Sequence, residues 1–133
     1  MRLWHQDLIN KLPRQQLLGQ HRECCALRGK GWGKKHSTVD YVFKYNPGRL
    51  VNYHLCLMDE MKKRGYKPND KWSNSFYRGI NCAEWKDKNI LNLSIGLNLD
   101  NYPTFPEHNE EYLKECIDNL FEKGVVCKFM EVK

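Results

Sequence analysis

The chain has 133 residues, a formal net charge of +6, 41% hydrophobic side chains and 29% charged ones. A chain of that length suits a single domain spanning 1–133 that buries roughly two thirds of its unfolded surface. No apolar run approaches the roughly 20 residues of a membrane span and the start lacks a signal-peptide core, so a membrane partner is excluded and a cytoplasmic location is expected.

In chain order, Leu3, Trp4, Leu8, Ile9 and Leu12 mix with polar residues in a way that allows one or two helical turns, which Pro13 ends or restarts. A helix is expected over 14–28, with Leu17, Leu18, His21, Cys24 and Cys25 at helical spacing. Gly29, Gly31 and Gly33 break it, so 29–38 reads as a loop. Val39 to Tyr45 alternates weakly before a turn at Asn46-Pro47-Gly48. The clearest helix covers about 48–64: Leu50, Tyr53, His54, Leu57, Met58 and Met61 share a face, and Lys62-Lys63-Arg64 and Gly65 close it. Residues 66–88 read as polar loop anchored by Trp72, Phe76, Tyr77 and Trp85.

Further on, Leu91, Leu93, Ile95, Leu97 and Leu99 alternate with polar or small residues, a strand pattern. A helix at about 106–123 follows, and 125–132 reads as a last strand. The whole is a mainly α, compact single-domain helical bundle with a small C-terminal β element, to which a β-α-β unit is open.

Charge is divided unevenly: residues 1–71 hold 15 Lys/Arg against 6 Asp/Glu, and 72–133 hold 7 against 10. A basic front suits a polyanion, and an ordinary solvated surface accounts for it as well. The six cysteines are expected to be reduced thiols, since a chain this long does not need staples. His21, Cys24 and Cys25 lie within one helical turn, but no second Cys/His pair at zinc spacing accompanies them, so no metal is expected.

Two stretches could carry chemistry. Arg22 and Glu23 fall near the edge of the helix's apolar side, where a carboxylate among arginines stays ionised and can accept a proton; a surface charge pair is the plainer reading. The loop Gly29-Lys30-Gly31-Trp32-Gly33-Lys34-Lys35-His36 offers backbone N–H groups and lysines to phosphate and a tryptophan to a base. A solvated loop with Trp32 tucked into the core is equally compatible, and the spacing is not that of a P-loop. The N-terminal amine is a third candidate. Roughly a tenth of such amines is neutral at pH 7, against far below one percent of lysines, and Arg2 beside it lowers its pKa further. Such an amine can attack a sugar C1′ and form an imine; a frayed terminus is the common alternative.

With these features the chain resembles the pyrimidine-dimer DNA glycosylase/endonuclease V family. The matching features are an N-terminal amine followed by Arg2, then Leu12 and Leu17, the triplet His21-Arg22-Glu23, and Lys63-Arg64-Gly65-Tyr66 closing the next long helix. The likeness covers roughly 1–80, which leaves 81–133 as a divergent extension. It implies a glycosylase with abasic-site lyase activity on damaged double-stranded DNA, pyrimidine dimers among the candidate lesions, needing neither cofactor nor partner protein. In that scheme Met1, Glu23 and Arg22 are catalytic; Arg2, Arg14, His21, Arg28, Lys30, Trp32, Lys34, Lys35 and His36 bind nucleic acid. A non-catalytic nucleic-acid-binding protein using the same basic face is the alternative. The chain departs from the family at Arg2, where a small residue is common and Met1 is therefore expected to be retained. It departs again at Ala26, where the family has an arginine, and in lacking the family's Trp-, Tyr- and Lys-rich tail, which an acidic helix replaces.

Overall fold

The structure is a computed structural model that describes residues 2–33, 39–45, 47–74, 76–85 and 105–124. Within them the chain is mainly helical, with three α-helices and no strand among the described residues. The expected strands at 91–99 and 125–132 lie outside the described residues, as do Met1, Lys34, Lys35 and His36.

Helix α1 spans Arg14–Arg28 and α2 spans Pro47–Lys63. Pro47 opens α2, where the N–H it lacks would have no helical partner. At its other end Gly65 sits at φ 88°, and the N–H groups of Tyr66 and Gly65 reach back to Met61 and Lys62 at 2.9 and 3.0 Å. This Schellman closure satisfies carbonyls that the helix would otherwise leave open. The third helix, α3, spans Glu110–Glu122. It begins later than the expected start at about 106 because Asn109 caps it: the Asn109 side chain accepts from Tyr112 N at 2.9 Å. Between α1 and α2, Asp40–Lys44 forms a 3-10 helix within the weakly alternating stretch 39–45.

The core lies between α1 and α2, with Leu17, Cys24 and Leu27 facing Leu50, Tyr53, Leu57, Met58 and Met61. Leu3, Trp4, Leu8 and Leu12 cover one end; Phe105, Cys116 and Leu120 bring α3 onto the same cluster. Arg64 fastens the N-terminal segment to the end of α2, donating to the Leu12 carbonyl and the Glu60 carboxylate at 2.7 Å each. Cys24, Cys25, Cys56, Cys82 and Cys116 are free thiols. No helix of the described residues is long and apolar enough to cross a membrane.

Where α3 meets the N-terminal segment, His5, His108 and Tyr112 stack, with ring centroids 5.6 and 5.0 Å apart, and Tyr41 Oη lies 2.7 Å from His108 Nε2. Burial, reinforced by His5, pushes the His108 pKa down to about 3. Unfolded histidine titrates near 6.5, so below that pH the unfolded chain takes up a proton that folded His108 refuses. Stability is therefore fully present above pH 6.5 and is lost as pH falls toward 3, by up to roughly 4 kcal/mol from this group. The urea midpoint should decline over that window. His108→Gln should flatten the decline, and an equally steep fall in the variant would remove His108 as its source.

Candidate functional site

Gln20 organises the start of the chain. It lies on the buried face of α1 and is 2% exposed. Its Oε1 accepts from Trp4 N at 2.7 Å and lies 3.1 Å from the Tyr53 hydroxyl, which donates to the Trp4 carbonyl at 2.5 Å. Its Nε2 donates at 3.1 Å both to the Arg2 carbonyl and to Glu23 Oε2. One amide nitrogen thus bridges the backbone of residue 2 and the Glu23 carboxylate. A buried amide with both ends engaged costs little, whereas an empty one is expensive. Sequence reasoning missed Gln20; its one local sign is the i, i+3 spacing to Glu23, which is common on any helix.

A pocket of about 390 Å³ opens at this point. Arg2 and Trp4 line it from the N-terminal segment, and Gln16, Gly19, Gln20 and Glu23 from α1. Asn119 and Lys123, in the last turn of α3 and just after it, complete it. A Cβ at Gly19 would meet the exposed Arg22 guanidinium at 3.7 Å, which places Arg22 at the rim. Arg2 is held by Glu115 at 3.1 Å and lies 5.8 Å from the centre of the Tyr112 ring. A larger cavity of about 520 Å³ borders α2, but its Asp59 and Glu60 are already paired with Lys63 and Arg64 at 3.3 and 2.7 Å. The smaller pocket is where a carboxylate, an arginine at the rim and the chain's start converge.

The structure takes Arg28 away from the nucleic-acid face. It is completely buried. Its guanidinium donates to His54 Nδ1 and to the carbonyls of Trp72, Asn74 and Tyr77 at 2.7–3.0 Å, and lies 5.0 Å from the Trp72 ring centre. Burial lowers its pKa to about 10, so it remains charged at neutral pH. Arg78 answers from the other side, donating to the carbonyls of Arg28 and Gly29 at 2.8 and 3.0 Å, and so caps the open end of α1. The two arginines form a crossed clasp between the helix end and residues 72–78.

The glycine loop is shaped by the same clasp. A Cβ on Gly29 would come within 2.9 Å of the Arg78 carbonyl, and one on Gly31 within 2.7 Å of the Ala26 carbonyl. These two glycines serve close backbone packing at the helix terminus. Trp32 is half-buried and meets Phe43 and Trp85 edge-on at 4.9 and 5.6 Å, so its ring belongs to an aromatic cluster. Lys30 and Arg14 are exposed, Arg14 with its guanidinium 5.7 Å from the Tyr66 ring centre.

His21 is half-buried and reaches toward α2. Its Nδ1 lies 2.8 Å from His54 Nε2 and its Nε2 3.8 Å from Cys25 Sγ. Arginine can only donate, so His54 Nδ1 accepts from Arg28 and its proton sits on Nε2, directed at His21. His21, Cys25 and His54 bring three ligand atoms within 4.8 Å of one another. That set fits a cation poorly, because Arg28 occupies the adjacent nitrogen of His54 and adds its own positive charge. Burial, then Arg28 and His21, holds His54 well below the ordinary histidine pKa, so the pair is a neutral hydrogen-bonded chain between helices.

Residues 1–74 match a family model described as pyrimidine dimer DNA glycosylase. No curated protein and no solved structure gives a significant match to the chain.

Proposed function

Because this chain belongs to the pyrimidine dimer DNA glycosylase family, we propose that it acts on damaged double-stranded DNA as both glycosylase and abasic-site lyase. The family carries the DNA substrate and the glycosylase chemistry. The observation that supports the lyase step is the shared Gln20 amide, which holds the Arg2 carbonyl and Glu23 Oε2 at 3.1 Å each beside one pocket. In this reading the α-amine of Met1 attacks C1′ of the lesion nucleotide, and the glycosidic bond breaks with the base as leaving group. The attacking nitrogen loses a proton, its lone pair then expels O4′ from C1′, O4′ takes up a proton as the sugar ring opens, and the protonated C1′=N imine that results is the electron sink. Glu23 then takes a proton from C2′, the electron pair forms the C1′–C2′ enamine system, and the bond from C3′ to its phosphate oxygen breaks. Arg22 at the rim holds phosphate, and extrusion of the damaged nucleotide brings the sugar into reach. Every group in this scheme is a protein group.

Borohydride reduction in the presence of abasic-site duplex tests the proposal. One covalent adduct is expected, mapping to the N-terminal peptide. An adduct mapping to Lys123, the other amine beside the pocket, would overturn the assignment of the nucleophile. Absence of any adduct, together with tight and salt-sensitive binding, would leave a non-catalytic DNA-binding protein. Running dimer-containing duplex alongside plain abasic duplex reads the lesion preference in the same experiment.

A further inference from the structure

We propose that the end of α3 is a working wall of the reaction site, in which Lys123 grips the phosphate beside the reacting sugar and Asn119 accepts a hydrogen bond from the reacting nitrogen. The inference rests on the imine reading above for Asn119, and on DNA binding alone for Lys123. Helix α3 lies wholly beyond the residues that match the family, yet it is fixed to the start of the chain. Tyr112 donates to the Leu3 carbonyl at 2.5 Å, and Glu115 holds Arg2. The acidic character of α3 is spent partly on that grip, and past it the helix ends on a cation.

Lys123 lines the same pocket as Glu23, with its ammonium 5.4 Å from the centre of the Trp4 ring. Of the two cations lining that pocket, Arg2 is matched by Glu115, whereas Lys123 has no carboxylate partner among the described residues. An exposed ammonium held over an aromatic face at the pocket wall is suited to a phosphate oxygen. Asn119 is one turn earlier. Its Oδ1 is buried and has no hydrogen-bond partner among the described residues. A buried carbonyl without a donor is costly, and an N–H in this pocket would relieve it. An amine that attacks C1′ offers such an N–H before and during attack. An acceptor there directs its lone pair and steadies the positive nitrogen that follows. The charged groups lining that pocket are Glu23 from α1, Arg2 from the N-terminal segment and Lys123 just after α3.

Two variants of the full-length chain test the two contacts. With a duplex carrying an uncleavable abasic analogue, Lys123→Met should weaken binding about 3–10-fold at low salt and reduce the slope of log affinity against log salt by about 0.9, one phosphate contact. Lys123→Arg should restore both. Unchanged affinity and slope in Lys123→Met would overturn the phosphate role. For the other contact, Asn119→Asp puts a carboxylate against the reacting nitrogen, which should move the midpoint of borohydride trapping upward by about half to one pH unit. Asn119→Ala should slow trapping about tenfold without moving the salt slope. A midpoint that stays in place together with an unchanged trapping rate would overturn the Asn119 role. Should the unaltered protein form no adduct at all, the imine reading and Asn119 fall together, while the salt slope still decides Lys123.

Discussion

Glu23→Gln is expected to reduce strand cleavage at an abasic site by about two to four orders of magnitude while leaving the borohydride-trapped adduct in place. The substitution separates shape from basicity. A glutamine oxygen can still accept from Gln20 Nε2, so the tie between α1 and residue 2 survives. What disappears is a group able to take the C2′ proton. Imine formation precedes that proton transfer, so intermediate should accumulate and trapping should hold or rise. Single-turnover cleavage and trapping, measured on the same abasic duplex, read the two steps separately. Cleavage at the unaltered rate would remove Glu23 from the chemistry, and loss of the adduct would move it to the earlier step.

The second large effect concerns stability. Arg28→Met should destabilise the fold by about 3–5 kcal/mol, read from the urea midpoint at constant m-value. The guanidinium satisfies three backbone carbonyls and His54 Nδ1 inside the protein, and no nearby methionine atom can donate to any of them. Arg28→Lys should fall between, since an ammonium keeps the charge but cannot span the same fan of acceptors. The spacing of those acceptors, from His54 on α2 to the carbonyls of Trp72 and Tyr77, is what a planar fork reaches and a point charge does not. If Arg28→Met unfolds at the unaltered denaturant concentration, the crossed arginine clasp contributes nothing to stability.

Apolar spacing and glycine made the helices legible. It located α1 at the bounds the structure has, and α2 within one residue at each end, because Leu17, Cys24 and Leu27 recur on the inward face of α1, and Leu50, Tyr53, Leu57, Met58 and Met61 on that of α2. It began α3 early because Pro106 is a common first helical residue, and it could not weigh that against a side-chain cap at Asn109. The polar interior was not legible. Gln20 and Arg28 look like surface residues by type, and what buries them is supplied by Trp4, Tyr53 and residues 72–77, dozens of positions away for most of these. A residue's polarity says what it must be bonded to, not where the partner comes from. Arg28 was therefore read as a phosphate contact, although its charge is turned inward. His21, to which the resemblance gave a nucleic-acid role, is half of a hydrogen-bonded pair with His54 between the helices. Of the catalytic residues expected, Glu23 lines a pocket with Arg2, and the Arg22 guanidinium lies by Gly19 at its rim. The docking of α3 on the N-terminal segment could not be read at all, since no local pattern in an acidic helix announces its contacts with Leu3, Trp4 and Arg2.

The bond from Tyr112 to the Leu3 carbonyl joins residues 109 positions apart. Contacts of such long sequence separation close late, because the loop entropy must be met before the contact forms. During synthesis, residues 1–74 can collapse around α1 and α2 while Tyr112 and Glu115, which add the hold of α3 on Leu3 and Arg2, are still inside the ribosome. The pocket wall follows only after residue 123 has emerged. A nascent chain would thus carry Glu23 and an N-terminal segment already tied by Gln20, Tyr53 and Arg64, while the pocket still lacked its wall from α3.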